Sequence, residues 1–241
     1  MTVRTLNICL HNIVNDISEV ISIYDLTKSQ LANLEIILEK FRSKGVFTSY
    51  ELFFDDGYKS FIELARNYDF KIKKDFIHAA IITEKLNSDN YLTLDDVKWI
   101  NNAGFSIYSH GVSHAALAIF NEKKLQNTTV GTRYRNMPYG KGNLLESEEV
   151  KYQLIESSKF LQSITGHQPN SFVLPYGLYN EQTVFIASTS SSYHRLYTCD
   201  KAYDVGQFLA PRLVVTQDNI NAIEDEILCL TNEYTPLTRQ T

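Results

Sequence analysis

Leu52-Phe53-Phe54-Asp55-Asp56-Gly57-Tyr58 is the stretch whose reading decides the fold. Three consecutive apolar residues suit a strand covered on both faces. They run straight into two adjacent carboxylates and a glycine that permits a sharp turn. Neighbouring side chains of an extended backbone point to opposite faces. Both carboxylates therefore reach one site only if the chain turns there. In barrels of alternating strands and helices, the C-terminal strand ends carry the chemistry. Taken alone, Asp-Asp-Gly is more often a βα turn with a helix-capping Asp.

Two later stretches change that balance. Ser109-His110-Gly111-Val112-Ser113-His114 follows Gly104-Phe105-Ser106-Ile107-Tyr108, which reads as another short strand. Two His four apart meet on one face of a helical turn, a usual spacing for two imidazoles on one divalent metal. The pair is weak evidence alone, but it stands at a strand end, as Asp56 does. One carboxylate and two imidazoles make a three-ligand set with open positions, as catalytic metals need. Ser171-Phe172-Val173-Leu174-Pro175-Tyr176-Gly177-Leu178-Tyr179-Asn180 is again an apolar run ending in a turn. Pro175 and Gly177 restrict its backbone. By itself it is an ordinary strand exit; beside the others it can aim a backbone N–H at the metal.

Phe54-Asp55-Asp56-Gly57, His110 to His114, and Pro175-Tyr176-Gly177, in this order, resemble the polysaccharide deacetylases with a NodB-type domain, carbohydrate esterase family 4. The resemblance covers nearly the whole chain. It implies an α/β fold, a distorted (β/α) barrel of about seven strands with outer helices. One catalytic domain is expected over residues 1–241. Carried over, Asp55 is the catalytic base, and Asp56, His110 and His114 hold a divalent metal ion, with zinc the expected one. The backbone N–H of Tyr176 serves the oxyanion, and Pro175 and Gly177 adjoin the substrate. Relatives of this branch often carry a Pro-Arg where Pro211-Arg212 stands, which brings Arg212 toward the substrate; a surface salt bridge is the alternative. The implied reaction is hydrolytic removal of an N-acetyl or O-acetyl group from an acetylated sugar or glycan, in surface polysaccharide biosynthesis or modification. The alternatives are a catalytically impaired carbohydrate-binding descendant and a hydrolase of another small amide.

Two departures from the family pattern bear on mechanism. Many members place an Arg shortly before the Pro-Tyr-Gly to hold the catalytic Asp; here Leu174 precedes Pro175. Many end with a Leu-x-His whose imidazole is the general acid; here no His follows His194. His11 closes the first expected strand, Leu6 to Leu10, and a closed barrel sets its first strand beside its last. His11 is the first candidate for the acid and His194 the second.

The 241 residues suffice for one domain with a substantial core. A net charge of −5 excludes the basic profile of a nucleic-acid binder. Cys9, Cys199 and Cys229 lack metal-type spacing and an even count, which points to a reducing compartment. No secretory signal or membrane-length apolar run is visible, so a cytoplasmic location is expected. Thr27 and Gln30 form a capping box for a helix stopped by Gly45, Thr93 begins another with Asp95 and Asp96 as first-turn carboxylates, and Ser147 caps a long one ended by Gly166. Residues 121–146 read as a basic loop with a second Pro-Tyr-Gly at Pro138-Tyr139-Gly140. No apolar strand precedes that copy, so the site motif is placed at Pro175. The loop either overhangs the cleft or lies solvated on the surface.

Overall fold

A computed structural model describes residues 4–118, 145–191, 193–200, 202–204 and 206–233. Most of the basic loop and the Pro138-Tyr139-Gly140 copy lie outside the described residues. Strands β1 (Thr5–Leu10), β4 (Ser49–Phe54), β5 (Ile77–Ile81), β6 (Ser106–Ser109), β7 (Ser171–Val173), β8 (Arg195–Tyr197), β9 (Leu209–Ala210) and β10 (Leu213–Val214) form one parallel sheet. Its order is β10-β1-β4-β5-β6-β7-β8-β9. A small pair, β2 (Ile13–Val14) and β3 (Leu26–Thr27), stands apart.

β9 and β10 are two halves of one strand, interrupted at Pro211-Arg212. The first half pairs with β8 and the second with β1. The sheet's two ends are thus joined by the chain itself, and the sheet curls into a distorted barrel. Counting the interrupted strand once, the eight segments make the expected seven strands. Proline lacks the N–H a central strand needs, which accounts for the break. Asn7 Nδ2 donates to the Pro211 carbonyl at 3.0 Å across the gap.

Helices α1 (Lys28–Ser43), α2 (Ser60–Asn67), α3 (Leu94–Asn102), α4 (Ser147–Thr165), α5 (Glu181–Ser190) and α6 (Ile223–Glu233) accompany the strands. Thr27–Gln30 and Thr93–Asp96 are capping boxes, so Asp96 is a cap partner as well as a first-turn charge. α4 is capped by Glu146 with Glu149, one residue before the expected Ser147, and ends at left-handed Gly166.

The two-residue period of the strands divides the side chains between two layers. Leu6, Ile8, Leu10, Leu52, Phe54 and Ile81 face outward and pack with Leu34, Leu38, Phe61 and Val97 of the helices. Phe53, Ala80, Val173, Tyr197 and Ala210 fill the interior. The same parity sends Cys9, His11, Asp55, His110, Cys199 and Arg212 inward. His78 is a wall residue, 2.9 Å from Glu51 and stacked on Tyr108. His194 is exposed and precedes β8, so it stands at the N-terminal end of the barrel, opposite the Asp pair. Among the described residues, no helix is long and apolar enough to cross a membrane.

Candidate active site

Asp55 continues the inward parity of β4, while Asp56 would point outward if the strand ran on. It does not: Asp56 has φ 72° and Gly57 φ 79°, so the chain reverses and both carboxylates reach the interior. His114 (φ 58°) and Tyr176 (φ 59°) are left-handed too. The other described non-glycine residues in that region are Asn87 and Asn90; Asn, Asp and His visit it more readily than Tyr does. Such backbone costs on the order of 1–3 kcal/mol per residue and clusters at functional sites. Here three strained residues share one cavity.

The Asp56, His110 and His114 donor atoms lie within 4.8 Å of one another. Asp56 Oδ1 is 3.4 Å from Nε2 of each imidazole, and the two Nε2 atoms are 3.2 Å apart. His110 Nδ1 lies 2.8 Å from the Val173 carbonyl. That contact assigns the proton to Nδ1 and leaves the Nε2 lone pair facing His114 and Asp56, as a carbonyl on the far nitrogen of a metal-binding imidazole does. Asp56 Oδ1 is buried without a hydrogen-bond partner. Two facing imidazole nitrogens and an orphaned carboxylate oxygen are the chemistry of a cation site, and these three residues fit a divalent ion.

Asp55 is 3% exposed and belongs to a different network. Arg212 Nη1 donates to its two oxygens at 2.7 and 3.0 Å, and Cys9 Sγ to Oδ2 at 3.3 Å. Burial alone would raise its pKa. The Arg212 charge, with His110 and His11, outweighs burial and holds the carboxyl well below the usual carboxylate range. Burial likewise opposes ionisation of Asp56, but the adjacent imidazoles of His110, His11 and His114 lower its pKa. Burial opposes a charge on His110, yet Asp56 and Asp55 prevail and raise its pKa. His114 is lowered to about 4 by burial and by the His110 charge. Cys9, His11 and Asp55 form a second converging donor set. Asp55 is already neutralised there by the guanidinium, so the Asp56 set is the better cation site.

The remaining expected residues fall as follows. His11 lines the cavity, its ring 4.6 Å from that of Tyr24, with Nδ1 buried and unpaired. Burial holds its pKa below the ordinary imidazole value, against the pull of Asp55 and Asp56. Pro175 and Gly177 are buried in the turn, while Leu174 and Tyr176 line the cavity. A Cβ on Gly177 would come within 2.5 Å of Cys199 Cβ, so only glycine fits. Arg212 is 1% exposed; its Nε donates to the Thr198 carbonyl at 3.2 Å and its Nη1 to Asp55. Its guanidinium is committed to the protein rather than offered to a substrate. It stands in for the arginine absent before Pro175. At the end of the last strand, Val214 lines the cavity.

Gln153 of α4 had no place in the expectations. Its Oε1 accepts the N–H groups of Val112 and Ser113, and its Nε2 donates to Ser113 Oγ. It holds the loop between the two imidazoles. The signal was in the sequence: Gln153, Ser157 and Ser158 interrupt the buried face that Val150, Leu154 and Leu161 define.

The cavity is about 100 Å³ and includes Tyr24, Tyr58 and Tyr176 in its wall. A larger hollow of about 530 Å³ lies on the outer surface beside Tyr152 and Phe160. It holds no comparable group of buried imidazoles and carboxylates.

Arg212→Met is expected to cost about 3–5 kcal/mol, because it leaves Asp55 buried and uncompensated. The sign with pH follows from the depressed pKa of Asp55. Its pairing stabilises the protein above the unfolded-state pKa of about 3.9 and is lost as pH falls through the lower folded value. The deficit of the variant should therefore be largest at alkaline pH and shrink as pH falls, first through the raised pKa of the unpaired Asp55 carboxyl and then below about pH 4. Urea unfolding across that pH range measures it. A deficit independent of pH would count against the pairing.

Fold and site together define a (β/α)-barrel protein with its polar centre at the C-terminal strand ends. The model of the polysaccharide deacetylase family matches residues 47–191, and the chain belongs to that family. Solved structures agree on the fold. A Streptococcus pyogenes deacetylase, PplD, determined with acetate, superposes with TM-score 0.65 at 17% identity, over 96% of this chain and 99% of that one. IcaB from Ammonifex degensii gives 0.64 at 15%, over 93% and 97%. A polysaccharide deacetylase from Bacillus cereus gives 0.63 at 16%, over 93% and 69%. Comparison with curated proteins returns no match.

Proposed function

We propose that this protein is a metal-dependent deacetylase that hydrolyses the N-acetyl group of an acetylated amino sugar in a glycan. The observation that carries the reading is the convergence of Asp56, His110 and His114 on one point, beside a separate, arginine-held Asp55. Asp56, His110 and His114 hold the cation, with zinc the expected metal for two imidazoles and a carboxylate. A divalent cation there lowers the pKa of water and polarises the acetyl carbonyl.

The chain's own groups do the rest. Asp55 accepts the proton of the attacking water. The backbone N–H of Tyr176, set by the Pro175–Gly177 turn, donates to the oxyanion. The cavity's roughly 100 Å³, about the space of three waters, suits an acetyl group and leaves the sugar ring outside. There the rings of Tyr24, Tyr58 and Tyr176 offer apolar faces. His11 protonates the leaving amine, since the neighbouring strand end presents Val214. Acetate and a free amino sugar result. A cytoplasmic location is part of the proposal; the odd count and non-metal spacing of Cys9, Cys199 and Cys229 support a reducing compartment.

Acetate release from a panel of acetylated saccharides, with zinc, cobalt or nickel added and bound metal quantified, tests this reading. Bound metal without release from any acetylated sugar would favour a carbohydrate-binding protein, for which the apolar strand end at Val214 is the supporting observation. Release from non-sugar amides alone would favour another amidohydrolase.

His11→Ala should keep metal and fold but lose turnover roughly 100-fold. An acid works below its pKa and fails as pH rises through it. Because burial lowers the His11 pKa, the descending limb of kcat/KM should lie below the ordinary imidazole range in the parent enzyme and vanish in the variant. Normal turnover in His11→Ala would move the acid's role elsewhere.

A further inference from the structure

The floor of the cavity holds two thiols. Cys9 lies in β1 and is 1% exposed; Cys199 follows β8 and is 4% exposed. Both point inward, on either side of the interrupted strand that carries Arg212 and Val214. They pack in one cluster with Val214 and Leu178, and each contacts the Asp55–Arg212 pair: Cys9 Sγ at Asp55 Oδ2, Cys199 Sγ at Arg212 Nη2. Both line the cavity, whose wall includes the partly exposed Tyr176, so a small solute reaches them by the substrate's route.

We propose that Cys9 and Cys199 are an oxidative modification site: a peroxide converts them to a disulfide in the cavity floor, and that disulfide suppresses catalysis. The second half rests on the deacetylase reading above. Arg212 Nη2 lies 3.8 Å from Cys199 Sγ, and a guanidinium favours the thiolate, the reactive form. That thiolate attacks one peroxide oxygen and expels hydroxide, becoming a sulfenic acid. The Cys9 sulfur then attacks the sulfenic sulfur, and the hydroxyl leaves with the Cys9 proton as water. Two thiols and one hydrogen peroxide give one disulfide and two waters.

Two consequences reach the catalytic groups. Cys9 donates its S–H to Asp55 Oδ2, and oxidation removes that donor. Cys199 backs onto Gly177, where a Cβ would already sit 2.5 Å from its own Cβ. Movement of Cys199 toward Cys9 therefore shifts the turn that carries the Tyr176 N–H. Cys229, exposed on α6, takes no part.

The test uses the metal-loaded full chain with Cys229→Ser, which removes pairing between molecules. In the denatured protein two thiols should titrate before hydrogen peroxide and none after, and non-reducing peptide mapping should recover the Cys9–Cys199 link. Acetate release should fall roughly tenfold or more, since misplacing a group by ~1 Å costs up to ~100-fold, and dithiothreitol should restore it. In the same background Cys199→Ser should keep, through peroxide, whatever rate it had before. An unchanged thiol count, sulfinic acid in place of the link, a link without loss of rate, or equal loss in Cys199→Ser would each overturn the proposal. A chain that hydrolyses no acetylated sugar overturns the deacetylase reading; thiol titration and mapping still decide the disulfide.

Discussion

Asp56→Gly should strip the cation from the protein and abolish turnover while leaving the apo-protein at least as stable as the parent. The site geometry motivates both halves. Asp56 Oδ1 is the oxygen equidistant from the two imidazoles, and nothing else in the described structure satisfies it. Without it, two imidazoles remain, one short of the three protein ligands of catalytic zinc sites. Lewis-acid activation supplies several kcal/mol of transition-state stabilisation, so its loss corresponds to roughly 1,000-fold or more in rate. The stability half follows from the backbone. At φ 72° Asp56 is strained, and glycine is not. Relief of on the order of 1–3 kcal/mol offsets glycine's entropic cost of about 0.5–1 kcal/mol. Measured at a pH above the raised His110 pKa, where the neutral imidazole gains little from a carboxylate partner, the melting temperature with chelator should not fall. A merely structural Asp56 would give the opposite pattern: full metal content and a lower melting temperature. Metal analysis and calorimetry on one preparation separate the two.

Much of the fold was legible because its elements obey short-range rules. The capping box at Thr27, the helix start at Thr93, the stop at Gly166, and the apolar runs before Asp55, Ser109 and Pro175 all behave as their residues dictate. The break in the last strand was half visible: Pro211 marks the interruption, but pairing of the two halves with β8 and β1 is a property of the closed sheet. The site divides the same way. Asp56, His110 and His114 were recognisable by type and order. The turn that brings Asp56 to its neighbour's side was required by parity and appears as a positive φ. Arg212 was expected near the site, yet its contact with Asp55 spans 157 residues and depends on the inward parity of an interrupted strand. His194 was misjudged as a candidate because it was placed by its residue type; its position before β8 puts it at the wrong end of the barrel. The shared floor of Cys9 and Cys199 was illegible, since sequence separation hides the adjacency of first and late strands.

Asp55→Asn should retain the cation and lose roughly 100- to 10,000-fold in turnover, the scale of a removed general base. The substitution keeps the shape, and the carboxamide oxygen still accepts from Arg212, but no proton can be taken from the attacking water. Retention of metal is the discriminating half. Asp55 belongs to the Arg212 and Cys9 network, and the three expected ligands are untouched. The pH profile adds a second readout. A base works when deprotonated, so rate rises with pH through its pKa. Arg212 holds the Asp55 pKa well below the carboxylate range, which puts any ascending limb from Asp55 at strongly acid pH. The parent should therefore show no ascending limb from Asp55 above about pH 4. In Arg212→Met the same carboxyl is buried without its cation, so its pKa rises, and an ascending limb should move up into the measurable range. Asp55→Asn should remove that limb when combined with Arg212→Met. A buried guanidinium facing a neutral amide is itself costly, so turnover is compared only at temperatures where circular dichroism matches the parent. Near-normal turnover in Asp55→Asn, with metal in place, would leave Asp55 a structural partner of Arg212 and return the base's role to another group of the cavity.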